Sequence, residues 1–417
     1  MEESRISPSR LGVTALARST FTKLHRGVTF AAFVLALVGV MIEPARSDEP
    51  ASDAAIAVAA EPQAAQKAPA DSWPTFRGTW TGTGASSAVL PDSLSEVWTK
   101  RVEKGAFEAT AAIVDGRVIV PDLDGRVYAL DLETGEELWK LETDGPGFIA
   151  APTVFEGRVF VGDIDGILYA LDVATGETVW KFEAGLEIDA AATIYQGKVL
   201  VGSQDATLYC IDAKTGELQW QHQIQDQIRC SPTLVEDRVF VAGCDGFLHM
   251  ISLESGEEIG RVEIGGPTGV TPAIVGDLLF VGTEEGTFYG INWREAKVEW
   301  TWEEPRGQSI RSSPAVADGR VIFGTRGRQV VALEQGTGKE IWTFAARRGI
   351  DSAPVIVGQS VYLGAGDGRI YGLNAETGEK QWEFETGGEV TASPAVVQGY
   401  LVISDSRGSV RCFGAER

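Results

Sequence analysis

Ala151-Pro152-Thr153-Val154-Phe155-Glu156-Gly157-Arg158-Val159-Phe160-Val161-Gly162, then Asp165-Gly166-Ile167-Leu168-Tyr169-Ala170-Leu171-Asp172, then Thr175-Gly176-Glu177-Thr178-Val179-Trp180: this stretch is one copy of a text that the 417-residue chain repeats. Its apolar runs are four to six residues long and rich in Val, Phe, Tyr and Leu. They are separated by Glu156-Gly157, Asp165-Gly166 and Thr175-Gly176, which are turn signals that ask for positive φ at glycine. The stretch therefore reads as four short antiparallel strands. Its closing tryptophan recurs at Trp98, Trp139, Trp180, Trp220, Trp300, Trp342 and Trp382, with Gly260 standing in for one copy. A period near forty marks a fold whose units bury their apolar faces on one another. Four-stranded units of this kind are the blades of a β-propeller, in which the ring arrangement leaves only short edges. The expected fold is all-β, with eight four-stranded antiparallel blades.

The turn text returns as Asp131…Thr134-Gly135, Asp212…Thr215-Gly216, Ser252…Ser255-Gly256, Glu334…Thr337-Gly338 and Asn374…Thr377-Gly378. Blade 5 departs from it, since Asn292 is followed by Glu295-Ala296, and its third turn is expected to differ. The last unit stops after Phe413 without a fourth strand, while Val97-Trp98-Thr99-Lys100 carries the tryptophan of one. The N-terminal strand is thus expected to complete blade 8 and clasp the ring.

The Leu-Asp-x-x-Thr-Gly-x-x-x-Trp text resembles the tryptophan-docking motif of pyrroloquinoline quinone (PQQ)-type propellers. That family includes quinoprotein alcohol dehydrogenases and BamB, the propeller lipoprotein of the β-barrel assembly machinery, and the chain is most similar to the latter. The resemblance covers roughly residues 89–417 and implies a fold far more than a function, because one propeller hosts many activities. The Gly-His and Trp-Asp dipeptides of the Trp-Asp repeat family are absent.

Four segments are expected: a signal peptide or membrane anchor over 1–47, a flexible linker over 48–72, an ordered lead-in over 73–88 that packs on the propeller exterior, and the propeller over 89–417. The first rests on Arg5, Arg10, Arg18, Lys23 and Arg26 followed by the apolar run Val28 to Ile42, which suits a signal core better than a full span. Cleavage and retention as an anchor both stay open. The expected location is the periplasm or the extracytoplasmic face of the membrane. No cysteine lies between residues 28 and 60, so the lipid attachment implied by a BamB-like lipoprotein has no acceptor there.

The chain carries a formal charge of −23. Setting aside the three acids (Glu2, Glu3, Glu43) and six bases of residues 1–47 leaves 56 acids against 30 bases, a net of −26. Nucleic acid is therefore not an expected partner. Cys230 and Cys244 flank a hairpin in a register that puts their thiols on opposite faces, so no disulfide is expected between them. Small core positions are the expectation for Cys210, Cys230, Cys244 and Cys412. After the N-terminal segment only His222 and His249 remain, both expected as packed positions, and no metal or cofactor is expected.

The resemblance to quinoprotein dehydrogenases implies calcium ligands, a catalytic aspartate and usually an adjacent cysteine pair. This chain has no adjacent Cys pair, no Cys-x-x-Cys-His motif and no long inter-blade insertion. The repeated Asp-Gly and Asp-x-x-Thr-Gly carboxylates are read as turn formers. The expectation is a non-catalytic, exported or membrane-anchored scaffold binding a protein partner in the cell envelope. The alternative is a PQQ-dependent oxidoreductase-related subunit or quinone-binding sensor.

One region inverts the acidic background. Between Pro305 and Ile350 eight bases face three acids, and Arg306, Arg311, Arg326, Arg328, Arg347 and Arg348 all fall in connections of one face. Arg326-Gly327 replaces the usual Asp-Gly. Three residues before the start of each first strand, at the channel mouth, the repeat positions offer Asp189 beside Arg229 and Arg311 beside Asp351. These nine residues form the candidate partner-binding set, since Arg suits carboxylate or phosphate by bidentate geometry.

Overall fold

The computed structural model describes residues 67–103 and 105–416, among which there is no helix. The expected signal or anchor segment and most of the linker lie outside the described residues. No described helix is long and apolar enough to cross a membrane.

Eight sheets form, one per repeat, each with four antiparallel strands, and Ala85–Ser86 of the lead-in adds a parallel fifth strand to blade 7. Blades 1 to 7 span 112–142, 153–183, 193–223, 233–263, 273–303, 315–345 and 355–385, and blade 8 combines 395–414 with the N-terminal strand Ser95–Arg101. That strand pairs antiparallel with Ser409–Gly414, placing Trp98 opposite Cys412. The clasp is thus as the repeat text required. Positive φ at Glu156 (44°), Gly157 (74°), Gly166 (87°) and Gly176 (74°) sets the turns of blade 2 where the sequence asks for them.

The tryptophans dock the blades by a repeated contact. Each indole donates to a main-chain carbonyl in the third turn of the next blade: Trp98 to Leu132, Trp139 to Val173, Trp180 to Ala213, Trp220 to Leu253, Trp300 to Gln335 and Trp342 to Ala375. Trp382 completes the circle by donating to Leu94. The ring also lies against the glycine of that turn. A Cβ on Gly135, Gly176, Gly216, Gly256, Gly338 or Gly378 would sit 2.4–2.8 Å from the neighbouring indole. Thr-Gly is therefore doubly required, for φ and for the close approach.

This explains blade 5. Gly260 provides no indole, so Ala296 needs no glycine to make room, and it keeps the left-handed conformation at φ 51°. The expected change of turn is confined to that residue and to one added ladder pair, Asn292 with Lys297. The missing indole is replaced from the other side. Trp293 of blade 5 is buried and packs edge-on against Phe240 of blade 4, at 5.7 Å between centroids. Phe160 and Phe280 meet their own blade's tryptophan instead.

The lead-in does not pack on the exterior. It threads the channel along the innermost strands, because those strands present unused amides inward and an extended chain can satisfy them. Amides of Ile113, Val154, Leu234, Ile274, Val316, Ile356 and Gln398 donate to carbonyls of Trp73, Pro74, Trp80, Thr81, Thr83, Gly84 and Ala70. Seven blades are thereby tied to one segment, and blade 3 meets it through Trp80 against Tyr195, 5.8 Å apart. Ala68 bridges to Ser86, so pairing begins before residue 73.

Arg77 sits within this girdle, fully buried. Its Nη2 donates to the carbonyls of Pro314 (2.9 Å) and Pro354 (2.7 Å), which ties blades 6 and 7. No carboxylate among the described residues offsets its charge, and burial pushes its pKa down to about 9.

Candidate functional site

Strand topology places the second-to-third turns and the blade-to-blade connections on one face of the ring. The channel opens there as a cup of about 160 Å³ floored by Phe76 of the girdle. Asp189, Arg229, Arg311 and Asp351 line its mouth, with Ala191, Ser231, Thr271, Ser313, Ala353 and Ser393 in the ring beneath. The hydroxyls of that ring bridge blades: amides of Ser231, Thr271 and Ala353 donate to Thr271, Ser313 and Ser393. The mouth is thus held in a fixed diameter by the scaffold below it.

The expected pairs do not form. Arg229 reaches Glu284 at 2.6 Å, and Arg311 reaches the other oxygen of the same carboxylate at 3.3 Å. Glu284 lies in the second turn of blade 5 and projects between two connections, so it intercepts both guanidinium groups before they meet the aspartates. Asp351 is instead taken by Arg326 in a two-pronged contact, at 2.9 and 2.7 Å. Asp189 accepts from Gln204 at 2.7 Å, and its second oxygen is buried with no partner. Burial therefore raises the Asp189 pKa, against the weaker pulls of Gln204 and Arg229.

The other arginines of the set surround this mouth on the side of blades 6 and 7. Arg306 donates to the Gly327 carbonyl at 3.2 Å, in a connection folded around buried Glu304, which accepts the amides of Arg306 and Gln308. Arg348 pairs with Glu389 at 2.8 Å, both well exposed. Arg328 and Arg347 are exposed. Arg347 and Arg348 also line an open groove of about 460 Å³ between blades 7 and 8, together with Arg407. Arg407 and Glu284 escaped the sequence reading. The signal for both was present, since each occupies a second-turn position, but neither stands in a run of like charge.

The Asp-x-x-Thr-Gly carboxylates are consumed locally. One oxygen of Asp172 accepts from the amides of Ala174 and Thr175 and from the Thr175 hydroxyl. Asp131 and Asp212 repeat the arrangement. These bonds favour the ionised form and lower all three pKa values. Cys210, Cys230 and Cys244 are free thiols, and Cys210, Cys230 and Cys412 are buried. Burial lifts the Cys210 thiol to about 11 and Cys230 to about 12, which makes both poor nucleophiles.

A family model described as "Beta-alanine-activating enzyme, beta-propeller" matches residues 149–413. A search of the curated proteins gives no match. Among solved structures, BamB from Moraxella catarrhalis is similar at 21% identity and a TM-score of 0.69, covering 78% of this chain and 100% of that one. The quinohemoprotein alcohol dehydrogenase of Comamonas testosteroni gives 16% identity and a TM-score of 0.69, with 83% and 81% covered. A europium-containing methanol dehydrogenase gives 12% and 0.71, with 83% and 98% covered. At these identities the likeness is one of fold.

Proposed function

The chain belongs to the family of the beta-alanine-activating enzyme β-propeller, and from that premise we propose that it is a non-catalytic binding scaffold of the cell envelope. Its channel-mouth face docks a protein partner through carboxylate or phosphate groups. The observation that carries this reading is the gathering of Arg306, Arg326, Arg328, Arg347 and Arg348 on one face of an otherwise acidic molecule, around a channel closed from behind. Exposed charge of that kind raises encounter rates and selects the sign of a partner. The fold's likeness to BamB agrees with an interaction role, and the composition of residues 1–47 supports export.

A quinone-dependent oxidoreductase would need an enclosed pocket. Ligand pockets commonly enclose about 300–1,000 Å³; the cup here is about 160 Å³, and its loops are short. The test is capture from envelope extract with the intact chain, followed by replacement of Arg328, Arg347, Arg348 and Arg407 by Ser. Stability should move by less than about 0.5 kcal/mol, while affinity for the captured partner and its salt dependence both fall. Unchanged affinity and salt slope would return these residues to solvated surface.

A further inference from the structure

The junction of blades 3 and 4 carries a second departure from the repeat. At two other junctions, those of blades 2 and 3 and of blades 6 and 7, an aromatic ring two residues past the docking tryptophan meets a tyrosine of the next blade. Phe182 meets Tyr209, and Phe344 meets Tyr371, each edge-on at 5.2 Å between centroids. At blades 3 and 4 both members of this pair are histidine, His222 and His249. They are the only histidines among the described residues.

The two rings converge on one oxygen of Glu258. His249 Nδ1 lies 2.7 Å from Glu258 Oε2, and His222 Nε2 lies 4.0 Å from the same atom. The outer atoms of both rings are fixed. His249 Nε2 faces the Asp245 carboxylate at 3.0 Å, and His222 Nδ1 lies 3.0 Å from the Gly256 carbonyl. Both of those partners only accept, so a proton sits on each outer nitrogen. The inner nitrogens, His249 Nδ1 and His222 Nε2, are the two that face the Glu258 carboxylate. Arg261 Nε stands 4.0 Å from the other Glu258 oxygen.

We propose that His222, His249 and Glu258 form a binding site for a divalent ion of the zinc class. All three ligand atoms lie within 4.8 Å of one another. Ligand atoms about 2.0–2.2 Å from a tetrahedral zinc ion stand about 3.3 Å apart, so small side-chain movements suffice. Donation of the second ring nitrogen to a carboxylate or carbonyl is the usual way in which a ligating imidazole is oriented. Three protein ligands leave a fourth position for water, and Glu258 is part-exposed, so the ion has a way in. The competing arrangement is a protonated His249 bridging Asp245 and Glu258, with His222 merely packed beside it.

The repeat itself supplies the controls. His222→Phe with His249→Tyr restores the residue types found at the junctions of blades 2 and 3 and of blades 6 and 7, which removes both imidazoles while keeping an aromatic pair. The purified full-length chain, stripped with chelator, is titrated with zinc chloride by calorimetry and with cobalt chloride by visible absorption. The expected result is one equivalent of zinc, a tetrahedral cobalt spectrum and a zinc-dependent rise in melting temperature. All three should be lost in the double variant, with affinity at least 100-fold lower. Glu258→Gln, which keeps the side-chain shape, should weaken zinc at least tenfold. Absence of saturable binding to the unmodified chain, or the same affinity in the double variant or in Glu258→Gln, overturns the site.

Discussion

A Cβ at Gly84 would lie 1.7 Å from Arg77 Nη2 and 2.4 Å from its Cζ, on a backbone at φ +59°. The guanidinium is enclosed and bonded to two carbonyls, so it cannot step aside. Gly84→Ala should therefore lose about 2 kcal/mol or more, measured by urea denaturation; tolerance without loss would mean that the arginine lies elsewhere. The turn aspartates make an opposite kind of prediction, in which a change is neutral at pH 7 and protective as the pH falls. Asn374 already builds the same turn without a charge, accepting the amides of Glu376 and Thr377. Folded-state pKa values of Asp131, Asp172 and Asp212 are depressed, so their contribution is present above the ordinary carboxylate range and is lost as pH falls through the folded values. Replacing all three by Asn should leave the melting temperature at pH 7 nearly unchanged and shrink its fall between pH 7 and pH 2.5. An equally steep acid limb in the triple variant would contradict the turn bonding.

At the scale of strands and turns, the clasp is where energy and connectivity meet. Trp98→Ala removes an indole that bonds Leu132 and covers Gly135, and the loss of such a ring costs about 3–5 kcal/mol; the variant's urea midpoint should show it. The blades and the clasp were legible because each is written in local text, a turn glycine here and a tryptophan there, repeated until chance is excluded. The girdle was not, because its bonds to seven blades run main chain to main chain, and a backbone amide leaves no mark in residue type. Pairing at the mouth failed for a different reason. Repeat position fixes where a Cα stands, but Glu284 reaches across two connections, and side-chain reach has no periodicity. The histidines were readable one at a time as replacements of Tyr and of an apolar ring. Only the ring order, blade 3 beside blade 4, puts the two replacements in contact.

On the whole molecule the charge is uneven in a way that the fold makes useful. A body of net negative charge presents the arginines of blades 6 and 7 at one end, and the other end of the channel is occupied by its own chain. The cup between them, at about 160 Å³, is smaller than a common ligand pocket, and on the scaffold reading the purified chain with PQQ and calcium should not reduce an artificial electron acceptor in the presence of alcohols. Sustained turnover would revive the oxidoreductase reading. The girdle and clasp also say something about order in time. Residues 68–101 are made early, yet their partners are spread over all eight blades, and the clasp's own partner is Ser409–Gly414 at the far end of the chain. Such long-range pairing forms late and slowly. The clasp strand Ser95–Arg101 must wait, unpaired, until Ser409–Gly414 has been made, and then seals the ring. Closure thus acts as a check on the ring: a propeller lacking Ser409–Gly414 would leave Ser95–Arg101 without its partner strand and open to proteases.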